Sequence, residues 1–371
     1  MVTKRRIVIK LGTNVLTGGT HQLNRPGMVE IVRQCAFLHE MGHEVILCSS
    51  GAITAGRERL NHREKPKSVM EKQMFAAVGQ SRLMLTWERL FEIYSIHVGQ
   101  ILLAHGDMEI RNRFLNARDT LQALIKNRII PIINENDAVA TEEIRRGNND
   151  NLSALVAVLA EADTLILLTD QQGLYTADPR SNPDAALIPV VEKIDDSVKK
   201  LAGGSGTNVG TGGMVTKIEA AEVACRAGTQ VIIACGSEPD VLLRLIRDGE
   251  SLGTSFPPRE NPVRNRKLWL LAANSHPAGY VMINQQAVQV LQHQKGRSLL
   301  PAGIMRVAGE FTRGDVISIC DESGQELARG IARYHSIDMG RIAGYRSDEI
   351  EAILGYVFGP VAVHRNDMVL L

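Results

Sequence analysis

Across its first ~250 residues the chain alternates short apolar runs with stretches of helical periodicity, and few folds accept that pattern. "RIVIKL" at 6–11 is rich in β-branched residues and stops before Gly12. "GMVEIVRQCAFLHEMG" follows, with Met28, Ile31, Val32 and Cys35 at helical spacing and Gly42 as a C-terminal stop. "HEVILCS", "IHVGQILLA", "RIIPIIN", "DTLILLT" and "QVIIACG" read as further strands. Helices are expected between them, over roughly 69–94 and in "DTLQALIKN", "NLSALVAVLAEA" and "KIEAAEVACRAG". Strands that are apolar on both faces and alternate with helices predict an α/β fold: a mainly parallel open sheet covered by helices, a three-layer αβα sandwich. Ligands of such sheets sit at the carboxyl ends of the strands, so the loops after the strands are where chemistry is expected.

The pattern stops near 255–267, where "SFPPRENPVRNRK" carries three prolines and no apolar period, as a linker would. Beyond it "VISIC" and "ELARGIARY" alternate around "DESGQ", which predicts a hairpin inside a small β-rich domain. At 371 residues the chain exceeds one ordinary core, and the division expected is 1–257, a linker at 258–275, and 276–371. A net charge of +1 gives no reason to expect a bulk polyanion partner. The five cysteines are odd in number and none forms a C-x-x-C pair, so reduced thiols are expected rather than a disulfide framework or a zinc site. The N-terminal "MVTKRRIVIKLG" has too short an apolar run for a signal peptide, and no stretch reaches the ~20 apolar residues of a membrane span. A soluble, unexported, cytoplasmic protein is the expectation.

Polar residues gather where the strands end. Lys10 is followed by Gly12-Thr13-Asn14; Ser49-Ser50-Gly51 closes the second strand; Asn134-Glu135-Asn136-Asp137 and Thr169-Asp170 close two more. Any one of these is an ordinary turn former, but several converging on one sheet edge suggest a ligand. "RRGNNDNLSALVAVLAEA" adds Asn149 and Asp150 at the start of a helix. Either suits a plain N-cap, yet the Asn-Asn-Asp-Asn run holds more side chains than one cap uses, and a helix start favours an anion.

"GTGGMVTK" at 210–217 resembles a phosphate cradle but is not a P-loop, whose Gly-Lys-Ser/Thr is replaced by Thr216-Lys217-Ile218. It is either a glycine-rich turn with a chance lysine or a phosphate site of another architecture. Glycines let the backbone approach an anion, and a helix starting near Met214 or Val215 would offer free amides. Lys217 then lies one turn in. With Lys10 it makes two lysines, distant in sequence, that suit phosphoryl transfer, which needs mainly positioning and positive charge. Taken singly, each lysine reads more readily as a solvated surface residue.

Ten stretches carry a specific resemblance: "VIKLGTNVLT", "SSGAITAGR", "AAVGQSRL", "NARDTL", "PIINENDAVAT", "NDNLSALVA", "LLTDQQGLYTADPR" and "GTGGMVTKIEAA", then "FTRGDVISICDESGQELARGIARY" and "ILGYVFGPVAVHRNDMVLL" in the tail. On these the chain resembles the glutamate 5-kinases of the amino-acid kinase family, with a C-terminal pseudouridine-synthase-and-transglycosylase (PUA) domain. The resemblance implies the amino-acid kinase fold followed by a small PUA-like barrel. It implies ATP-dependent phosphorylation of the γ-carboxylate of L-glutamate, the first step of proline biosynthesis, with Mg²⁺ held mainly by the nucleotide's phosphates and no metal site of the protein's own. Lys10 and Lys217 match the family's catalytic lysines, and Asp150 matches the aspartate that organises them. Ser50, Gly51, Asn134, Asp137, Asn148 and Asn149 match substrate-binding positions. Lys10, Gly12, Thr169, Asp170, Thr211, Gly212, Gly213, Met214 and Lys217 match nucleotide-binding ones. Proline as a feedback inhibitor, a tetramer built as a dimer of dimers, and coupling to glutamyl-phosphate reductase are implied as well.

The acceptor carboxylate has a pKa of about 4.3 and needs no general base, which suits a chain whose ten histidines suggest no role. One departure stands out: Gly147-Asn148-Asn149-Asp150 replaces the family's usual Gly-Asp-Asn-Asp. An amide near the substrate's ammonium gives a weaker hydrogen bond than a carboxylate, so weaker glutamate binding is expected unless Asp137 compensates. Asn14 also stands where serine is usual. The rival readings are a sister kinase acting on another acid, carbamate or a nucleoside monophosphate, and RNA binding by the tail. RNA is not expected, because residues 259–371 mix arginines with many acids and show no block of like charge.

Overall fold

The computed structural model describes residues 4–104, 106, 108, 111–139, 149–203, 213–258, 277–293 and 297–371. The chain divides into two compact units, Met1–Pro262 and Val263–Leu371.

The first unit is built on seven strands: β1 (Arg6–Leu11), β2 (Glu44–Ser49), β3 (Val98–Leu103), β4 (Ile130–Glu135), β5 (Thr164–Thr169), β6 (Gln230–Cys235) and β7 (Thr254–Phe256). Their order is β3-β4-β2-β1-β5-β6-β7. Every neighbouring pair is parallel except β6 with β7. The chain fills one side of β1, then crosses to fill the other, so β1 is the switch point, and open α/β sheets bind ligands at the carboxyl end of such a strand. Ile7, Val8, Ile9 and Leu11 are all buried, as are Leu165 through Leu168. Period-two alternation is absent because both faces of these strands are covered. The antiparallel edge strand β7 has only three residues and falls inside the proline-rich break, where no strand was expected.

Local chemistry sets the helices. In Arg25–Glu40, Asn24 caps the first turn by accepting from the Gly27 amide at 3.2 Å, and a proline opens the helix. The chain leaves this helix through Gly42 at φ 94°. Val69–Glu92 opens with a capping box formed by Ser68 and Glu71. It crosses the helix Ala52–Arg59 so closely that only glycine fits. A Cβ at Gly79 would lie 1.8 Å from the Ala52 carbonyl oxygen, and one at Gly56 would lie 1.9 Å from that of Phe75. This crossing seats Gln80 against the end of β4. The helix Arg111–Lys126 begins well before the "DTLQALIKN" stretch, because Phe114, Leu121 and Ile125 bury one continuous stripe.

The second unit carries β8 (Gly279–Ile283), β9 (Ile304–Gly309), β10 (Val316–Cys320), β11 (Glu326–Ile331) and β12 (Met368–Leu370), ordered β12-β11-β10-β8-β9. Only β8 and β10 run parallel. The β10–β11 hairpin turns at Asp321–Gly324, where the Asp321 carboxylate accepts from the amides of Ser323 and Gln325, both at 2.9 Å. Gly324 there takes φ 86°. This unit has its own apolar core around Ile317, Ile319, Tyr334 and Val363. Among the described residues, no helix in either unit is long and apolar enough to cross a membrane.

Candidate active site

Three charged side chains from three elements meet at the switch point. Lys10 is the penultimate residue of β1, Asp150 opens the helix Asp150–Ala160, and Lys217 lies one turn into the helix Met214–Arg226. One Asp150 oxygen pairs with the Lys10 ammonium, and the other accepts from Lys217 Nζ at 3.2 Å. All three are buried, with Asp150 fully so. Buried charges persist only when paired, and here one carboxylate keeps two ammonium groups from repelling each other. Two cations and one anion leave a net positive charge, which suits an incoming phosphoryl group. Burial alone would raise the Asp150 pKa, but Lys10 and Lys217 outweigh it and hold the carboxyl below its ordinary range. Lys217 is lowered, mainly by burial with the charge of Lys10 adding to it, while Asp150 opposes the shift.

Thr216 completes this cluster. Its hydroxyl lies 2.9 Å from Asp150 Oδ2 and 2.8 Å from the Gly213 carbonyl, so its single proton serves one or the other. The resemblance placed Thr216 inside a nucleotide-binding segment but gave it no part in the lysine cluster. The only available signal was that Thr216 directly precedes the lysine.

A second group lies beyond the ends of β2 and β4. Asn149 occupies the N-cap position, yet its side chain does not cap the helix. Instead Nδ2 donates to the Ser49 carbonyl at 3.0 Å and to Asn134 Oδ1 at 2.7 Å. The plain-cap reading of Asn149 and Asp150 therefore fails: both side chains turn inward. Buried Trp87 donates from Nε1 to Ser49 Oγ at 3.1 Å and props this corner. Ser50 follows, its amide 3.4 Å from the Leu11 carbonyl. Gly51, at φ 103°, turns the chain into the helix Ala52–Arg59. Asp137 sits half-buried in the turn after β4. Trp87 and Gln80 were given no role from the sequence, since they mark no strand end, and Ser49 was named only as the close of the second strand.

A third group closes β5. Asp170 accepts from Thr169 Oγ1 at 3.1 Å and from Asn14 Nδ2 at 2.8 Å, which ties the loop after β1 to the loop after β5. Burial pushes the Asp170 carboxyl up, and these two hydrogen bonds override it to hold the pKa low. Gly12 lies against the same corner, where a Cβ would meet the Leu168 carbonyl oxygen at 3.3 Å and Lys10 Nζ at 3.7 Å. Gly213 and Met214 begin the Lys217 helix. Asn148, Thr211 and Gly212 lie outside the described residues.

The family model for amino acid kinases matches residues 5–235. The chain belongs to the amino acid kinase family. The amino acid kinase region is followed by a match to the PUA domain at residues 279–354. Among curated amino acid kinases, the glutamate 5-kinase of Escherichia coli (strain K12 / DH10B) is 56% identical over 369 residues, covering 100% of both chains. The glutamate 5-kinase of Shigella boydii serotype 18 gives the same figures. Among solved structures, UMP kinase from Bacillus anthracis overlays with a TM-score of 0.47 and 15% identity, over 68% of this chain and 96% of that one.

Proposed function

We propose that the chain transfers the terminal phosphoryl group of ATP to the γ-carboxylate of L-glutamate, forming L-glutamyl 5-phosphate, the first step of proline biosynthesis. The single observation that carries this mechanism is the buried Lys10–Asp150–Lys217 cluster at the carboxyl end of the central strand. Full-length relatives named glutamate 5-kinase support the substrate. Lys10 and Lys217 flank the phosphoryl group in flight and offset its charge, and Asp150 sets their separation. The acceptor is already ionised at neutral pH, so no side chain has to remove a proton. Gly12, Thr169, Asp170 and the segment from Thr211 to Lys217 hold the nucleotide. Ser50, Gly51, Asn134, Asp137, Asn148 and Asn149 hold glutamate. Mg²⁺ would be held mainly by the nucleotide's phosphates and would add positive charge beside Lys10 and Lys217.

The same reading takes 1–257 as the catalytic domain, joined by 258–275 to a PUA-like domain at 276–371. It includes a homotetramer, inhibition by proline, and delivery of the labile acyl phosphate to a reductase. The test is ADP release with ATP, Mg²⁺ and L-glutamate, with hydroxylamine present to trap the acyl phosphate. Glutamate-dependent hydroxamate that disappears in Lys217→Ala is the expected result. Turnover of N-acetylglutamate or aspartate in place of glutamate would keep the reaction type and overturn the substrate.

A further inference from the structure

Two backbone groups dictate how three side-chain amides are oriented. The Glu135 amide can only donate, and it lies 2.9 Å from one terminal atom of Asn134. That atom is therefore the oxygen, and the other terminal atom of Asn134 is the nitrogen. The nitrogen faces Gln80 at 2.8 Å, so Gln80 must present its oxygen there. The Ser49 carbonyl can only accept, and it lies 3.0 Å from Asn149, so the Asn149 atom facing it is the nitrogen. The same nitrogen makes the 2.7 Å contact with Asn134 Oδ1. Both hydrogens of Asn149 Nδ2 are thus spent. Among the described residues its Oδ1 has no partner and is the acceptor left over for a ligand.

Gln80 holds the far end of this relay, and it does so at a cost. Its Nε2 is buried without a hydrogen-bond partner. A buried donor left unmade is unfavourable, so an apolar residue would sit there more comfortably were Oε1 not needed. Gln80 reaches Asn134 because Gly79, its neighbour, lets the helix Val69–Glu92 press against the Ala52 carbonyl.

We infer that Gln80 is a positioning residue for substrate recognition: through Asn134 it fixes the Asn149 amide so that Oδ1 accepts from the α-ammonium group of the amino-acid substrate. This rests on the proposed use of L-glutamate. Without Gln80 Oε1, the Asn134 amide is held by the Glu135 amide alone, so its Oδ1 is less firmly seated against Asn149 Nδ2, which keeps the Ser49 carbonyl as its one firm partner. An Asn149 amide tethered at one point instead of two presents Oδ1 to the ammonium group less steadily, and the substrate is held more weakly.

The test compares Gln80→Met and Gln80→Ala, which remove the acceptor, with Gln80→Glu, which keeps a carboxyl oxygen for Asn134. Steady-state hydroxamate assays give KM for glutamate and for ATP, and the ratio of turnover on glutamate to that on glutarate, which lacks the ammonium group. Gln80→Met and Gln80→Ala are expected to raise KM for glutamate about tenfold, leave KM for ATP within twofold, and lower the glutamate-to-glutarate ratio. Gln80→Glu is expected to restore most of the glutamate KM. In an Asn149→Ala background, Gln80→Met should add no further loss. Equal shifts in both KM values, an unchanged glutamate-to-glutarate ratio, or full additivity with Asn149→Ala would overturn the inference. Absence of glutamate turnover by the unsubstituted protein would overturn the proposed function and this inference together.

Discussion

On the proposed mechanism, titration of Lys217 is expected to limit activity on the alkaline side. Burial lowers its pKa below the ordinary lysine value of 10.5, and a cationic ammonium is the form that stabilises a phosphoryl group. Raising the pH through the lowered value removes the proton and the charge, so turnover falls before ordinary lysines titrate. Asp150 opposes the shift, so Asp150→Asn moves the alkaline limb of kcat to still lower pH. A pH–rate profile of the two proteins checks this. On the acid side the Asp150 carboxyl, held below 3.8, stays ionised through mildly acidic pH. The stability it contributes is present above its unfolded value and drains only as pH falls through the lowered one. Lys217→Ala should cost roughly 10²–10³-fold in kcat, the range for losing one preorganised stabilising group. At the substrate, Asn148→Asp should lower KM for glutamate by strengthening the bond to the ammonium group; an unchanged KM would sink that expectation. Lys10, Asp150 and Lys217 were legible because each lies near the end of a strand or in the first turn of a helix within a recognisable segment. Thr216 and Gln80 were not. Their partners Asp150 and Asn134 lie 66 and 54 residues away, and nothing local to either residue announces the contact.

The helix Val69–Glu92 carries two features with opposite consequences. Its capping box stabilises the helix at one end, away from the glycine crossing. Ser68→Ala should cost about 1 kcal/mol and leave KM for glutamate unchanged. Gly79 is different. Its added methyl group would need the Ala52 carbonyl, 1.8 Å away, to move. Overpacking of this kind costs roughly 1–3 kcal/mol, and it also pushes Gln80 off Asn134 and disturbs the Ser50–Gly51 loop. Gly79→Ala should therefore lower Tm by several degrees and raise KM for glutamate. Paired melting curves and glutamate titrations separate the two substitutions. At this scale most strands were legible, because buried parallel strands announce themselves as continuous apolar runs. The strand β7 was not, since three residues are too few to show a period. The early start of Arg111–Lys126 was hidden for a different reason. Its first turns are rich in polar residues, and among the described side chains there Phe114 alone marks the buried stripe.

Every described residue assigned to the site lies in Met1–Pro262, and that unit has a core of its own around Trp87, Phe91 and the central strands. Val263–Leu371 has a separate core, with Tyr334 buried and its hydroxyl donating to the Gly359 carbonyl at 2.6 Å. Two cores in one chain permit two unfolding transitions, so a single Tm need not describe the whole molecule. The second unit was legible as β-rich from the alternation of "VISIC" and "ELARGIARY", and its separation from the first from the prolines between them. The proposed chemistry does not draw on it. Residues 1–262 produced alone should therefore fold cooperatively and keep glutamate-dependent hydroxamate formation, with kcat within a few-fold of the full chain. The PUA-like unit would then act on assembly, on regulation, or on a partner rather than on the phosphoryl group. A 1–262 fragment that melts cooperatively yet turns over no glutamate would show that the second unit completes the site. A comparison of glutamate KM and oligomeric state between fragment and full chain would then tell whether it does so directly or by holding subunits together.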